Sequence, residues 1–176
     1  MQKDLKAMLR DAVRGFHLPK YQDIPDVGLY LEQTVQYICG IYSCLGDDLL
    51  TGSMVGNYVK KDLIANPVKK RYNREQIAYL IFITMTKTVL SIEDIRRFIK
   101  VQQDTYAIQR AYDYFREEME NILFFVFGMK EKLDTVGSDD TLEKDMLRTM
   151  IIAASHKLYL EKYLAALRHC GEQSIE

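Results

Sequence analysis

Residues 58–77 read YVKKDLIANPVKKRYNREQI, and this stretch decides the fold prediction. Pro67 excludes one continuous helix, because proline lacks the amide hydrogen that the interior of a helix requires. Asn73 precedes Gln76 by three residues, a spacing typical of the capping box that opens a helix. The stretch therefore predicts a helix that ends near Asp62, an irregular connection, and a new helix that begins after Asn73.

Helices are also predicted on both sides of this stretch. Thr51 or Ser53 is the expected cap of the short helix before it, and Ser91 caps the helix that follows residues 77–87. The run IAYLIFI at residues 77–83 has the propensities of a buried strand. Because the capping box precedes it directly, we predict instead a helix that is buried on nearly all sides.

Apolar residues recur at helical spacing in four more segments. These segments are residues 3–14, 27–45, 104–127 and 141–170. Asp26 is the expected N-cap of the second helix, Asp104 begins the third, and Gly128 and Gly171 end the third and fourth. Turns are predicted at residues 46–48 and 137–140. The predicted fold class is all-α, with residues 1–103 and 104–176 as two functional regions that no linker separates.

Composition limits the classes of function. The chain has 176 residues with a net charge of −1, so affinity for nucleic acid requires local clustering of basic residues. Three cysteines without paired metal spacing indicate free thiols in a reducing compartment, with a redox or metal sensor as the alternative. The N-terminus has no signal-peptide pattern, and no apolar run approaches the roughly 20 residues that span a bilayer. We expect a soluble cytoplasmic protein that does not enter membranes.

Basic residues cluster between residues 60 and 74, where Asp62 is the only acidic residue before Arg74. The cluster consists of Lys60, Lys61, Lys69, Lys70, Arg71 and Arg74. Several cations beside a helix start are the arrangement that phosphate groups require. The alternative is an ordinary solvated surface.

The same region resembles the core of MerR-type transcription regulators. Tyr58 matches the tyrosine of the family's recognition helix, Lys70 stands where its wing arginine usually lies, and Tyr72 matches the tyrosine that follows. Residues 90–95, LSIEDI, resemble the element that opens the family's next helix. The resemblance covers about residues 51–100. Gly56 replaces an arginine that contacts phosphate in that family, and Asp62 replaces a turn glycine.

A second resemblance covers roughly residues 18–130. Residues 24–33, IPDVGLYLEQ, together with residues 59–61 and 69–72, resemble an uncharacterised bacterial family, a domain of unknown function built on the MerR-like core. This resemblance implies a fold and no established activity.

The resemblances imply a MerR-like helix-turn-helix with a degenerate wing, followed by long C-terminal helices. We expect a transcription regulator that places the helix 51–62 in the major groove of double-stranded DNA. The expected DNA-binding residues are Ser53, Asn57, Tyr58, Lys60, Lys61, Lys69, Lys70, Arg71, Tyr72 and Arg74. The side-chain amide of Asn57 is expected to hydrogen-bond to adenine, and the basic residues are expected to bind the phosphate backbone of the DNA.

Two alternatives remain from other classes. One is a protein-interaction module that keeps the fold and has lost DNA binding, and the weaker one is a helical enzyme. No phosphate loop, metal motif or nucleophile elbow occurs in the sequence. We therefore expect no enzymatic activity, no cofactor and no metal.

Residues 104–170 are the expected interface of a homodimer. The helix 104–127 carries a seam of apolar residues spaced by three and four: Ile108, Tyr112, Phe115, Met119, Ile122 and Val126. The alternative is a monomer in which this seam closes the core. Tyr106, Tyr112, Tyr114 and Phe115 are candidates for the lining of a small-molecule effector pocket, with ordinary core packing as the alternative.

Overall fold

The computed structural model of the protein describes residues 2–46, 49–137 and 141–172. Within these residues lie seven helices, namely α1 (Gln2–Asp11), α2 (Leu31–Tyr42), α3 (Gly52–Lys60), α4 (Arg74–Thr86), α5 (Ile92–Thr105), α6 (Ile108–Val126) and α7 (Leu142–Glu172). A 3-10 turn at Tyr21–Asp23 and two short strands, β1 (Leu29–Tyr30) and β2 (Arg71–Tyr72), complete the elements. The prediction of a mainly helical fold is confirmed. Parts of the predicted turns, residues 47–48 and 138–140, lie outside the described residues, as does the side chain of Cys170.

The caps around the decisive stretch are confirmed. The Asn73 side chain accepts a hydrogen bond from the Gln76 amide at 2.9 Å, and the Gln76 side chain accepts one from the Asn73 amide at 2.8 Å. Thr51 caps α3 by accepting from the Met54 amide. The run 77–83 is helical, as predicted. Helix α4 is buried on nearly every side, and the Asn73 capping box satisfies amides in its first turn.

The predicted start of α2 was wrong. The helix begins at Leu31 and not after Asp26, because Leu29 and Tyr30 form β1 and pair antiparallel with Tyr72 and Arg71 of β2. Backbone groups committed to a strand pair are not available to a helix. Val27, predicted to lie in the helix, is 78% exposed.

The predicted boundary between the next two helices was also wrong. Asp104 does not begin a helix; it lies in α5, where its carboxylate pairs with Lys100 at 3.0 Å. The chain turns at Tyr106, whose backbone is extended, and α6 begins at Ile108. Gly128 ends α6 as predicted: it has φ +71°, and the Met129 amide donates to the Phe124 carbonyl. The last helix runs one residue beyond Gly171, to Glu172.

The apolar seam of α6 lies inside the molecule. Tyr112, Phe115, Met119 and Ile122 are each at most 3% exposed, and they pack where α6 meets α4 and α7. One hydrophobic core contains side chains from both α1 and α7, so the two sequence regions share it. The seam therefore closes the core of a single chain.

A buried polar link joins α6 to α7. Glu118 of α6 is fully buried; its carboxylate accepts a hydrogen bond from the Tyr114 hydroxyl at 3.2 Å and lies 3.9 Å from the Arg148 guanidinium of α7. Asn121 also donates to this carboxylate. A buried charge is retained when such partners compensate its loss of water.

Candidate nucleic-acid interface

A tight hairpin lies between α3 and α4. The Val68 amide donates to the Arg71 carbonyl at 3.1 Å, and the Arg71 amide donates back to Val68 at 2.9 Å. Between them Lys69 and Lys70 have φ values of +50° and +65°. Two consecutive residues with positive φ are the pattern of a type I′ turn, for which asparagine and glycine are favoured. Two lysines therefore occupy a conformation that their side chains disfavour.

The base of this hairpin is attached to β1. The Arg71 guanidinium donates to the Tyr30 hydroxyl at 3.2 Å and lies 4.9 Å from the centre of its ring. Gly28 has φ +72°, and a Cβ atom there would lie 3.2 Å from Cβ of Arg71. Gly28 thus provides both the backbone turn and the space that Arg71 needs.

Sequence reasoning did not include Tyr30 among the site residues. The sequence predicts that Tyr30 lies inside a helix that begins near residue 27, where nothing would direct its side chain toward Arg71. Tyr30 is 47% exposed, and with Arg71 it forms the edge of the hairpin. Gly28, directly before Leu29 and Tyr30, is only a weak local signal against a helix start at this point.

Helix α3 presents one polar face to solvent. Ser53, Asn57 and Lys60 are exposed and spaced by four and three residues, while Val55 and Tyr58 are buried on the opposite face. Gly56 adjoins the polar face, and a Cβ atom there would meet nothing within 4 Å. Packing within the chain therefore does not require this glycine.

The two tyrosines among the expected DNA-binding residues lie in the core. Tyr58 is 4% exposed and Tyr72 is 5% exposed, and burial raises the pKa of both hydroxyls. Their side chains fix α3 and β2 from the inside. Asp62, which follows α3, has φ +55°, a conformation that aspartate tolerates better than most residues.

Arg74 differs from the other basic residues of the cluster. Its Nε atom donates to the Ile24 carbonyl at 2.9 Å, and its guanidinium lies 5.8 Å from the Tyr21 ring centre and 3.8 Å from Asp26. Arg74 therefore ties the segment before β1 to the start of α4. The remaining five basic side chains are exposed: Lys60, Lys61, Lys69, Lys70 and Arg71.

The chain matches a known protein family. The model of a domain of unknown function, DUF1836, matches residues 19–115, which is more than half of the chain. The chain belongs to the DUF1836 family. The predicted membership of a family of unknown function is thus confirmed, and the DUF1836 match contains α2, α3, the hairpin and α4. No curated protein and no solved structure matches the chain.

The other features of the DUF1836 chain are less distinctive. Cys39 and Cys44 are free and half-buried, and burial raises the pKa of the Cys44 thiol. In the part of the chain that the structure describes, no group of three or more histidine, cysteine or acidic residues is arranged to hold a metal. None of the described helices combines the length and the apolarity needed to cross a membrane.

Substitutions that relieve the backbone strain at Lys69 and Lys70 should make the protein more stable. Replacing Lys69→Asn together with Lys70→Gly should raise the free energy of unfolding by about 1–2 kcal/mol, because these residues accept positive φ. Urea unfolding measures the change. The matched control, Lys69→Gln with Lys70→Gln, removes the same charges without relieving the backbone and should change stability far less. Equal effects of the two pairs would show that backbone strain is not the cause.

Proposed function

We propose that this protein is a transcription regulator that binds double-stranded DNA, with α3 in the major groove and the hairpin on the adjoining backbone. We infer that α3 and the hairpin form a winged helix-turn-helix related to the MerR-type core. The observation that carries the proposal is the hairpin of residues 68–71, which holds two lysines at its tip at a cost in backbone energy. Strain of this kind persists mainly where it serves a function.

The charge of the hairpin supports contact with phosphates. Lys69, Lys70 and Arg71 are consecutive and exposed, and Arg71 is oriented by its contact with Tyr30. Lys60 and Lys61, at the end of α3, are also exposed. Phosphate contacts of this type fix the position of a protein on DNA without reading its sequence.

The exposed face of α3 supports contact with bases. Ser53 and Asn57 are neutral hydrogen-bonding residues at the centre of this face, and Lys60 lies at its end. An asparagine is able to contact N6 and N7 of adenine simultaneously. The open space at Gly56 would let the α3 backbone approach a ligand closely.

Helix α2 supports the proposal by joining the two elements. It packs against α3, against α4 and against both strands, so α3 and the hairpin are held by one helix. The connection between α2 and α3 differs from the common helix-turn-helix in its length. It spans residues 43–51, whereas the common motif has a turn of three or four residues.

One observation favours a protein partner as the second candidate function. Val27 and Val68 flank the strand pair and are 78% and 71% exposed. Exposed apolar side chains beside the edge of a sheet, where backbone groups have no strand partner, are typical of protein contacts. Binding to DNA and binding to a protein differ in their dependence on salt, and this difference separates the two candidates.

The first test is the salt dependence of DNA binding. If the five exposed basic residues neutralise four or five phosphates, the slope of log affinity against log salt should be roughly −4 per monomer. Fluorescence anisotropy of a labelled duplex measures it. The Lys69→Gln/Lys70→Gln pair should make the slope shallower by about two units. A slope near zero, or no binding at low salt, would exclude the DNA-binding proposal and leave the protein partner.

The second test separates base contacts from phosphate contacts. Asn57→Ala should cost about 1–3 kcal/mol on a selected site and little on random DNA, because its amide reads a base. Lys70→Ala should weaken binding to both kinds of DNA alike. Competition binding with selected and scrambled duplexes gives the two numbers. If Asn57→Ala weakens both equally, α3 does not read bases through this residue.

We further propose that the regulator is a homodimer and that its interface is the outer face of α7. Buried positions on α7, such as Met150 and Ala154, face the core, whereas other apolar residues on it face solvent. The exposed set is Leu142, Met146, Ile152, Leu160, Leu164 and Leu167. Glu143 and Asp145 lie in its first turn, and Arg168 lies near its end. A second copy in antiparallel orientation would bring opposite charges together.

The α7 interface predicts how substitutions change the oligomeric state. Leu160→Glu with Leu164→Glu should convert a dimer to a monomer at tens of micromolar, because charges would be buried without partners. Met8→Glu, at an exposed apolar residue of α1, is the control and should leave the dimer intact. Sedimentation equilibrium of the full chain measures the mass. A wild-type chain that is monomeric at these concentrations contradicts the interface.

A further inference from the structure

A cavity of about 310 Å³ lies between α4, α5, α6 and the first turns of α7. All four aromatic residues that the sequence singled out line it, namely Tyr106, Tyr112, Tyr114 and Phe115. Protein interiors contain few spaces much larger than a water molecule. This volume is at the lower end of the roughly 300–1,000 Å³ typical of small-molecule sites.

Aromatic rings shape the wall of the cavity. The Phe82 ring lies 5.5 Å from the Phe98 ring and 5.2 Å from the Phe115 ring, the latter edge-to-face. All three rings line the cavity. Rings fixed by one another keep an open space that flexible side chains would fill. A flat aromatic molecule is the ligand that gains most from such walls.

The polar groups of the cavity indicate an uncharged ligand. The Tyr79 hydroxyl donates to the Gln102 side chain at 2.9 Å, which gives the wall a hydrogen-bonding pair. Charged residues of both signs line the cavity, among them Arg110, Lys144 and Glu143. Arg110 and Lys144 already lie over tyrosine rings, at 5.3 Å and 4.7 Å from the ring centres. Mixed charge of this kind selects neither an anion nor a cation.

We propose that this cavity binds a planar, uncharged aromatic molecule of about two fused rings that carries one hydrogen-bonding group. The aromatic body would lie among Phe82, Phe98 and Phe115, and the polar group would join the Tyr79–Gln102 pair. The proposal does not depend on DNA binding, and its test uses no DNA.

The test is binding of β-naphthol to the full chain by isothermal titration calorimetry. We expect one site per chain with a Kd on the order of 0.1 mM, in line with so small a ligand. The saturated analogue decahydro-β-naphthol, which is not flat, should bind at least about tenfold more weakly. β-Naphthoate and β-naphthylmethylammonium test the charge and should also bind more weakly. Nuclear Overhauser effects from the probe to the methyl groups of Ile108 and Met146 would locate it.

A substitution that fills the cavity tests where the ligand binds, and a second substitution outside the cavity is its matched control. Ala111→Phe places a ring in the space from α6 and should abolish β-naphthol binding, while Ala107→Phe, exposed just before α6, should leave it unchanged. Circular dichroism confirms that each variant folds, and the Overhauser measurement requires no variant. The proposal is overturned if β-naphthol does not bind at millimolar concentration, if its contacts lie elsewhere, or if the saturated or charged analogues bind as tightly.

Discussion

The burial of α4 is the constraint on which the rest of the molecule depends. Ile77, Leu80, Ile81 and Ile83 are completely buried on different sides of this helix, and each contributes on the order of 1.5–3 kcal/mol. A helix of this kind is stable only when neighbours cover all its faces. Helices α2, α6 and α7 provide that cover, and the Tyr42 hydroxyl of α2 donates to the Ile81 carbonyl at 2.8 Å. The hairpin precedes α4 directly, and the cavity lies along its side, so both proposed sites are positioned by the same helix.

Local signals in the sequence were sufficient for most helix boundaries. Asn73 and Ser91 satisfy orphan amides within their own segments, and Gly128 takes the conformation that ends a helix, so no distant residue decides these positions. The start of α2 is different, because the alternative to helix is a pairing of Leu29 with Tyr72, far along the chain. Such a pairing has no local signature that outweighs an apparent cap at Asp26.

The candidate site was predictable in its charges and not in its geometry. The basic cluster could be read directly, but two facts required the three-dimensional arrangement. Arg74 is used inside the fold, because Ile24 and Tyr21 come close to it, and Tyr30 joins the site through the strand pair. The α6 seam illustrates the same limit: apolar spacing shows that a face is covered, and not whether α7 or a second chain covers it.

The Tyr114 side chain has a consequence for thermodynamic linkage. Its ring belongs to the wall of the cavity, and its hydroxyl belongs to the buried link from Glu118 to Arg148 of α7. A molecule that displaced this ring would change the hydrogen bond from Tyr114 to Glu118. A shift of α7 would in turn alter the space beside the ring. Occupancy of the cavity and the position of α7 would then share one coupling free energy. By reciprocity, each would change the equilibrium of the other by the same factor.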